Sequence, residues 1–151
     1  MKKYKKQKLN NSNLKNLSFI KVNLDKLNFK NSNIKTCDFW EASLKNSNLS
    51  LTKIKNCIFT DANLSNSNFK YSTLDNSNFT HSNLKGADFS GAIIKNSNFR
   101  DAYYDKSTKW PKNFNPLGGL LVKKSPLNKA KPKIVKNSKL IDNIVNALTK
   151  G

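Results

Sequence analysis

"NSNFKYSTLDNSNFTHSNLK", residues 66–85, consists mostly of Asn, Ser, Thr and Lys, the usual composition of a disordered low-complexity tract. Its large apolar residues are nevertheless ordered: Phe69, Leu74, Phe79 and Leu84 fall at every fifth position. Two positions before each of them stands a serine, Ser67, Ser72, Ser77 and Ser82. The same register runs outward in both directions, from Leu14 to Tyr104, without a slip. The companion series two residues earlier is mainly Ser, Ala, Thr and Cys, with Leu17, Val22 and Leu27 as larger members near the start.

A period of five suits neither a straight helix nor a straight strand. Five residues advance a helix by about 140° net, scattering the apolar set around the cylinder, and on a strand they reverse the face each time. Burial of the whole set therefore requires the chain to turn once per repeat. A coil with short extended sides and a corner in each pentad achieves this, because residues two apart on an extended side share a face.

The units "ADFSG", "SNFKY" and "ANLSN", with their neighbours over residues 10–105, resemble the pentapeptide-repeat family. That resemblance implies an all-β solenoid, a right-handed quadrilateral β-helix with four repeats per coil. About five coils follow, and stacking at about 4.8 Å makes a rod some 24 Å long. Residues 20 apart should then stack, and they match in kind. Phe19, Phe39, Phe59, Phe79 and Phe99 form one column; Leu14, Ile34, Ile54, Leu74 and Ile94 form another. Only about two residues in five need face inward, which explains a hydrophobic content of 36% in a folded chain.

The sequence divides into a basic extension (1–8), the β-helix (9–105), a capping segment (106–122), a basic linker (123–137) and a short C-terminal α-helix (138–150). The stretch "AYYDKSTKWPKNFNPLGG", residues 102–119, resembles the segment that follows the repeats in many cyanobacterial family members. There Trp110, Phe114 and Leu117 would plug the open end of the last coil, whose strand edges would otherwise meet water. In the C-terminal stretch Ser138 can cap a helix with Leu140, Ile141, Ile144, Val145 and Leu148 on one face. A helix that short is unstable alone and requires a docking surface, on the rod, on a second copy or on a partner.

Formal net charge is +19, and it is unevenly placed. Residues 1–8 hold five Lys and no acid, and residues 106–151 hold eleven Lys against Asp142 alone. The repeats are close to balanced by comparison. An abundance of Asn and Lys with a single Arg also fits codon drift in an AT-rich genome. No apolar run approaches the roughly 20 residues of a membrane span, and no secretory h-region follows the first lysines, so a soluble cytoplasmic protein is expected. Cys37 and Cys57 lack metal-site spacing and should be buried, reduced neighbours. His81 stands alone on a corner, and no nucleophile, carboxylate pair or phosphate loop suggests an enzyme or a cofactor.

Function is therefore sought on the outer walls. Lys15, Lys35, Lys55 and Lys95 form a basic stripe interrupted by Asp75, and Ile20, Trp40 and Ile58 form a candidate apolar cluster. With Ile144 and Val145 they make up the expected interaction surface. The expectation is a non-enzymatic scaffold for an unknown protein partner; a homodimer through the C-terminal helix or a coil end is a further arrangement. The alternative is a polyanion binder, using Lys-rich tails for weak nonspecific contact with nucleic acid or an anionic membrane surface. The family also includes quinolone-resistance members similar to DNA in shape and charge, which occupy DNA gyrase; that role needs an acidic rod, and this one is net positive.

Overall fold

In the computed structural model, residues 9–112 and 114–116 are described. They form a parallel β-solenoid with four walls, and no helix occurs among them. The expected helix at 138–150, with Ile144 and Val145, lies outside the described residues, as do the extension, the linker and Leu117.

One wall is a sheet of five strands in chain order: β1 (Asn13–Lys15), β2 (Asn33–Lys35), β3 (Lys53–Lys55), β4 (Thr73–Asp75) and β5 (Ile93–Lys95). Every pairing is parallel and offset by one coil, as in Leu14↔Ile34 and Ile34↔Ile54. The other three walls are held by isolated bridges with the same offset, such as Asp38↔Ile58, Ser43↔Asn63 and Asn48↔Asn68.

The two kinds of wall differ in what happens at the residue before each large apolar side chain. On the three bridge walls it is usually Asn or Asp, whose side-chain oxygen accepts a hydrogen bond from the amide two residues on. Asn68 Oδ1 takes the Lys70 amide at 3.0 Å, and Asp88 Oδ1 takes the Ser90 amide at 2.9 Å. These Asx turns bend the chain towards the corner. On the strand wall that position holds Asn13, Asn33, Lys53, Thr73 and Ile93, and the backbone stays extended.

Each corner needs a residue in the left-handed region. From Asn11 (φ 57°) to Asp101 (φ 56°) such a residue recurs every fifth position, with Gly86 and Gly91 supplying two of them. Asn recurs at these corners because its short polar side chain tolerates that conformation best after Gly. Corner asparagines also pair between coils, as Asn76 Nδ2 donates to Asn56 Oδ1 at 2.9 Å. Three corners of a coil close with an amide-to-carbonyl bond across the turn, such as Ala42 to Phe39 (2.9 Å) and Ser67 to Leu64 (3.1 Å). After the strands a serine takes that place: the Cys57 amide donates to Ser77 Oγ, and the Ser77 amide to Ser97 Oγ, both at 3.2 Å.

The interior is filled by the large residues in columns. Phe39, Phe59 and Phe79 stack with centroids 4.7 Å apart and planes within 5°, and Phe69 meets Phe79 edge-on at 6.2 Å. The small residues beside them leave room for this packing, and their hydroxyls bond inward. Ser67 Oγ donates to the Leu64 carbonyl at 2.6 Å and Ser82 Oγ to the Phe79 carbonyl at 2.7 Å. Ser72 Oγ is buried without a partner. Burying an unmatched hydroxyl costs about 1–3 kcal/mol, and Ala92 already occupies the next place in its column. Ser72→Ala is thus expected to raise stability by about 1 kcal/mol, whereas Ser82→Ala lowers it by a similar amount. Urea midpoints measure both; a loss in Ser72→Ala equal to that in Ser82→Ala would contradict the assignment.

At the C-terminal end the coil gains one residue. Asp88 bridges Lys109 rather than residue 108, because residues 105–108 form an extra turn. In it the Asp105 amide donates to Thr108 Oγ1 at 3.1 Å, and Thr108 Oγ1 donates to the Leu84 carbonyl at 3.0 Å. A hydrogen bond from the Ser107 side chain holds the Asp105 carboxyl below its usual range. The turn delivers Trp110 onto Phe89, stacked at 5.0 Å and 5°, so the indole continues the column of Phe69 and Phe89. Phe114 closes over Phe99 at 5.7 Å and Trp110 at 5.2 Å.

Candidate interaction surfaces

A filled interior leaves the four outer walls as the displayed chemistry, and each wall has its own charge. The strand wall carries Lys15, Lys35, Lys53, Lys55 and Lys95 against Asp75 alone. Parallel register places Lys15 beside Lys35 and Lys35 beside Lys55, one inter-strand spacing apart, about 4.8 Å. Lys55 Nζ is paired with Asp75 at 3.3 Å, while Lys15, Lys35, Lys53 and Lys95 have no carboxylate of the described residues within ion-pair distance. Lys53, which stands where other repeats carry Asn, joins the four lysines expected on this wall.

The second wall, bearing Ile20, Trp40, Thr60, Thr80 and Arg100, is the acidic one. Lys21 and Arg100 face Asp38, Glu41, Asp61 and Asp101. Its corner is a ladder of charged side chains: Lys21 pairs with Glu41 (3.5 Å), and His81 lies 3.7 Å from both Asp61 and Asp101. Trp40 is fixed within this ladder. Its indole Nε1 donates to Asp61 Oδ2 at 3.2 Å, and the Lys21 ammonium sits 5.0 Å from the ring centre. Trp40 and Ile20 both remain exposed, at 37% and 39%. Ile58 is half-buried in the bridge column between Asp38 and Asn78, so the exposed apolar pair on this wall is Ile20 and Trp40.

The third wall, with Lys26, Lys45, Lys85 and Lys106 against Asp25 and Asp105, and the fourth, with Lys30, Lys70 and Lys109 against Asp88, are both net positive. Asp88 lies between Lys70 (3.5 Å) and Lys109 (3.7 Å). Burial raises its carboxyl, but hydrogen bonds from Ser90 and the Lys70 charge outweigh that and hold it below the usual carboxylate range.

Four exposed apolar residues were missed in the sequence: Leu51, Tyr71, Ile93 and Tyr103. The signal was present, since each replaces a polar residue at a corner or wall position of the repeat. Tyr71 lies flat against the Gly91 corner, where an added Cβ would come within 2.5 Å of the ring.

The cysteines are buried and free, as Cys37 and Cys57 in successive coils. Burial pushes the Cys57 thiol well above its ordinary value, so it is poorly suited to nucleophilic chemistry. Among the described residues no group of three or more His, Cys, Asp or Glu side chains could hold a metal ion, and no helix is long and apolar enough to cross a membrane.

A search of curated proteins finds no match. Among solved structures, the chain is similar to the pentapeptide repeat protein Rfr23 from the cyanobacterium Cyanothece 51142, at 26% identity over 68% of this chain and 87% of that one, with a TM-score of 0.46. It is also similar to HetL, involved in heterocyst differentiation regulation in Nostoc sp. strain PCC 7120. That match has 20% identity over 65% of this chain and 57% of HetL, with a TM-score of 0.42. QnrB1, a plasmid-mediated fluoroquinolone resistance protein, aligns at 11% identity over 64% and 65% of the two chains, with a TM-score of 0.42. The family model for the pentapeptide repeat region matches residues 32–108, just over half of the chain. With the unbroken five-residue register and the four-walled coil it specifies, this chain belongs to the pentapeptide repeat family.

Proposed function

We propose that this protein is a non-enzymatic binding scaffold whose outer walls engage a protein partner. The observation that carries the reading is the contrast between a closed interior and walls of opposite charge. Large residues from Phe19 to Phe89 are fully buried and fill the coils, while an acidic wall with Trp40 adjoins a wall of lysines opposed among the described residues by Asp75 alone. Exposed aromatic anchors beside fixed charges suit protein recognition. Affinity capture from the native cell, with the full chain and a Trp40→Ala, Lys35→Glu double variant, tests the reading. A partner retained by the full chain and lost by the variant is expected; identical captures would contradict it.

The strand wall supports a second reading, attachment to a polyanion. Four lysines on one parallel sheet without an ion-pair partner among the described residues would release counterions on binding, giving weak, sequence-blind and strongly salt-dependent contact. Titration of duplex DNA at about 50 and 200 mM salt separates the two, since absence of binding at the lower salt removes this reading.

A further inference from the structure

We infer that the acidic wall is the docking site of the chain's own C-terminal segment, residues 138–150, which covers Ile20 and Trp40. Three independent observations converge on this occupant. The first is charge. The stretch 138–150 holds Lys139 and Lys150 against Asp142, the linker 123–137 before it adds six lysines and no acid, and three of the four walls are net positive. Only the wall with Asp38, Glu41, Asp61 and Asp101 attracts such a segment, and attraction at this range is reduced by salt.

The second is apolar surface. The one acidic wall is also the one on which an indole is held outward by Asp61 and Lys21, with Ile20 one coil below it. The positions Leu140, Ile141, Ile144, Val145 and Leu148 recur at helical spacing and need such a surface. Leu51, Tyr71, Ile93 and Tyr103 are exposed too, but they lie on walls or corners bounded by lysines.

The third is where the described chain ends. Phe114 packs on Phe99, the top of the column beneath this same wall. Trp40 lies three coils below Phe99, about 14 Å at the inter-strand spacing. The intervening residues 117–137 span up to about 70 Å when extended, so the reach is ample. The docking is intramolecular: a partner that used Trp40 would have to displace the segment, whereas contact through the lysines of the strand wall would be unaffected.

A photo-crosslinking experiment on the full chain tests the inference. Benzoylphenylalanine replaces Val145, and the protein is irradiated at low micromolar concentration, digested and mapped. The expected product has monomer mass and joins position 145 to a peptide from residues 18–41. Its yield should fall at least fivefold in Trp40→Ala, in Asp61→Lys and in 0.5 M salt. Both substitutions are at exposed positions, and unchanged circular dichroism would show that the rod persists. Adducts confined to other walls, adducts found only at dimer mass, absence of an adduct, or yields indifferent to all three changes would each overturn the proposal.

Discussion

Phe59→Ala is expected to destabilise the fold by about 3–5 kcal/mol, the range for deleting a fully buried aromatic ring. The site offers little relief by collapse. Phe59 is sandwiched between Phe39 and Phe79, at 4.7 Å on each side, and the coils above and below are pinned by backbone bonds such as Phe59 to the Asn78 carbonyl (2.6 Å). A cavity there also interrupts contact between neighbouring coils, the only contacts a solenoid has. The loss should therefore appear as reduced cooperativity as well as a lower urea midpoint. Phe19→Ala serves as control, because among the described residues Phe19 stacks on one ring, Phe39 at 4.9 Å. Equal losses at the two positions, with a single sharp transition in both, would refute the nearest-neighbour account.

Trp110→Ala is expected to cost about 2–4 kcal/mol, less than the central ring because the indole is only half-buried. The effect should be local. Trp110 covers Phe89, Phe99 and Tyr104, the rings that end the rod, and its neighbour Lys109 accepts the Phe89 amide at 2.7 Å. Removing the indole exposes those rings and loosens the last coil, so amide exchange at Phe89 and Leu84 should accelerate by at least tenfold. Exchange at Phe39 and Phe59 should change much less. Trp110→Phe should restore most of the protection, since Phe already fills the same column at 69 and 89. Uniform acceleration along the rod would show that the end layer is part of one cooperative unit.

Most of this fold was legible because its periodicity is unbroken. Leu14 and Ile34 could be assigned to one column from spacing alone, and the parallel register Leu14↔Ile34 follows that column. Walls were less legible than the interior. Which side becomes a five-strand sheet depends on an Asx turn being absent, and the asparagines at 13 and 33 look the same in sequence as those that form such turns at 28 and 48. Ile58 was read as an outward residue from its place in the pentad, but flanking bridges sink it halfway into the wall. The clamp on Trp40 was invisible for another reason: Lys21 and Asp61 are 40 residues apart in sequence, and only the coil geometry brings both to one indole. Lys53, Leu51 and Tyr71 departed visibly from the repeat, and their significance depended on knowing which neighbours share their wall.

The 20-residue register also constrains how this chain could change length. Removing one pentad would keep every apolar residue inward and every corner bent, yet it would turn all later coils by a quarter circle. Lysines of the strand wall below the cut would then lie under side chains from the neighbouring wall above it, and both surfaces would be scrambled without loss of the fold. Removing four pentads would only shorten the rod. Hence the family's architecture tolerates length changes in steps of five, whereas a binding surface inherited along one side tolerates them only in steps of twenty.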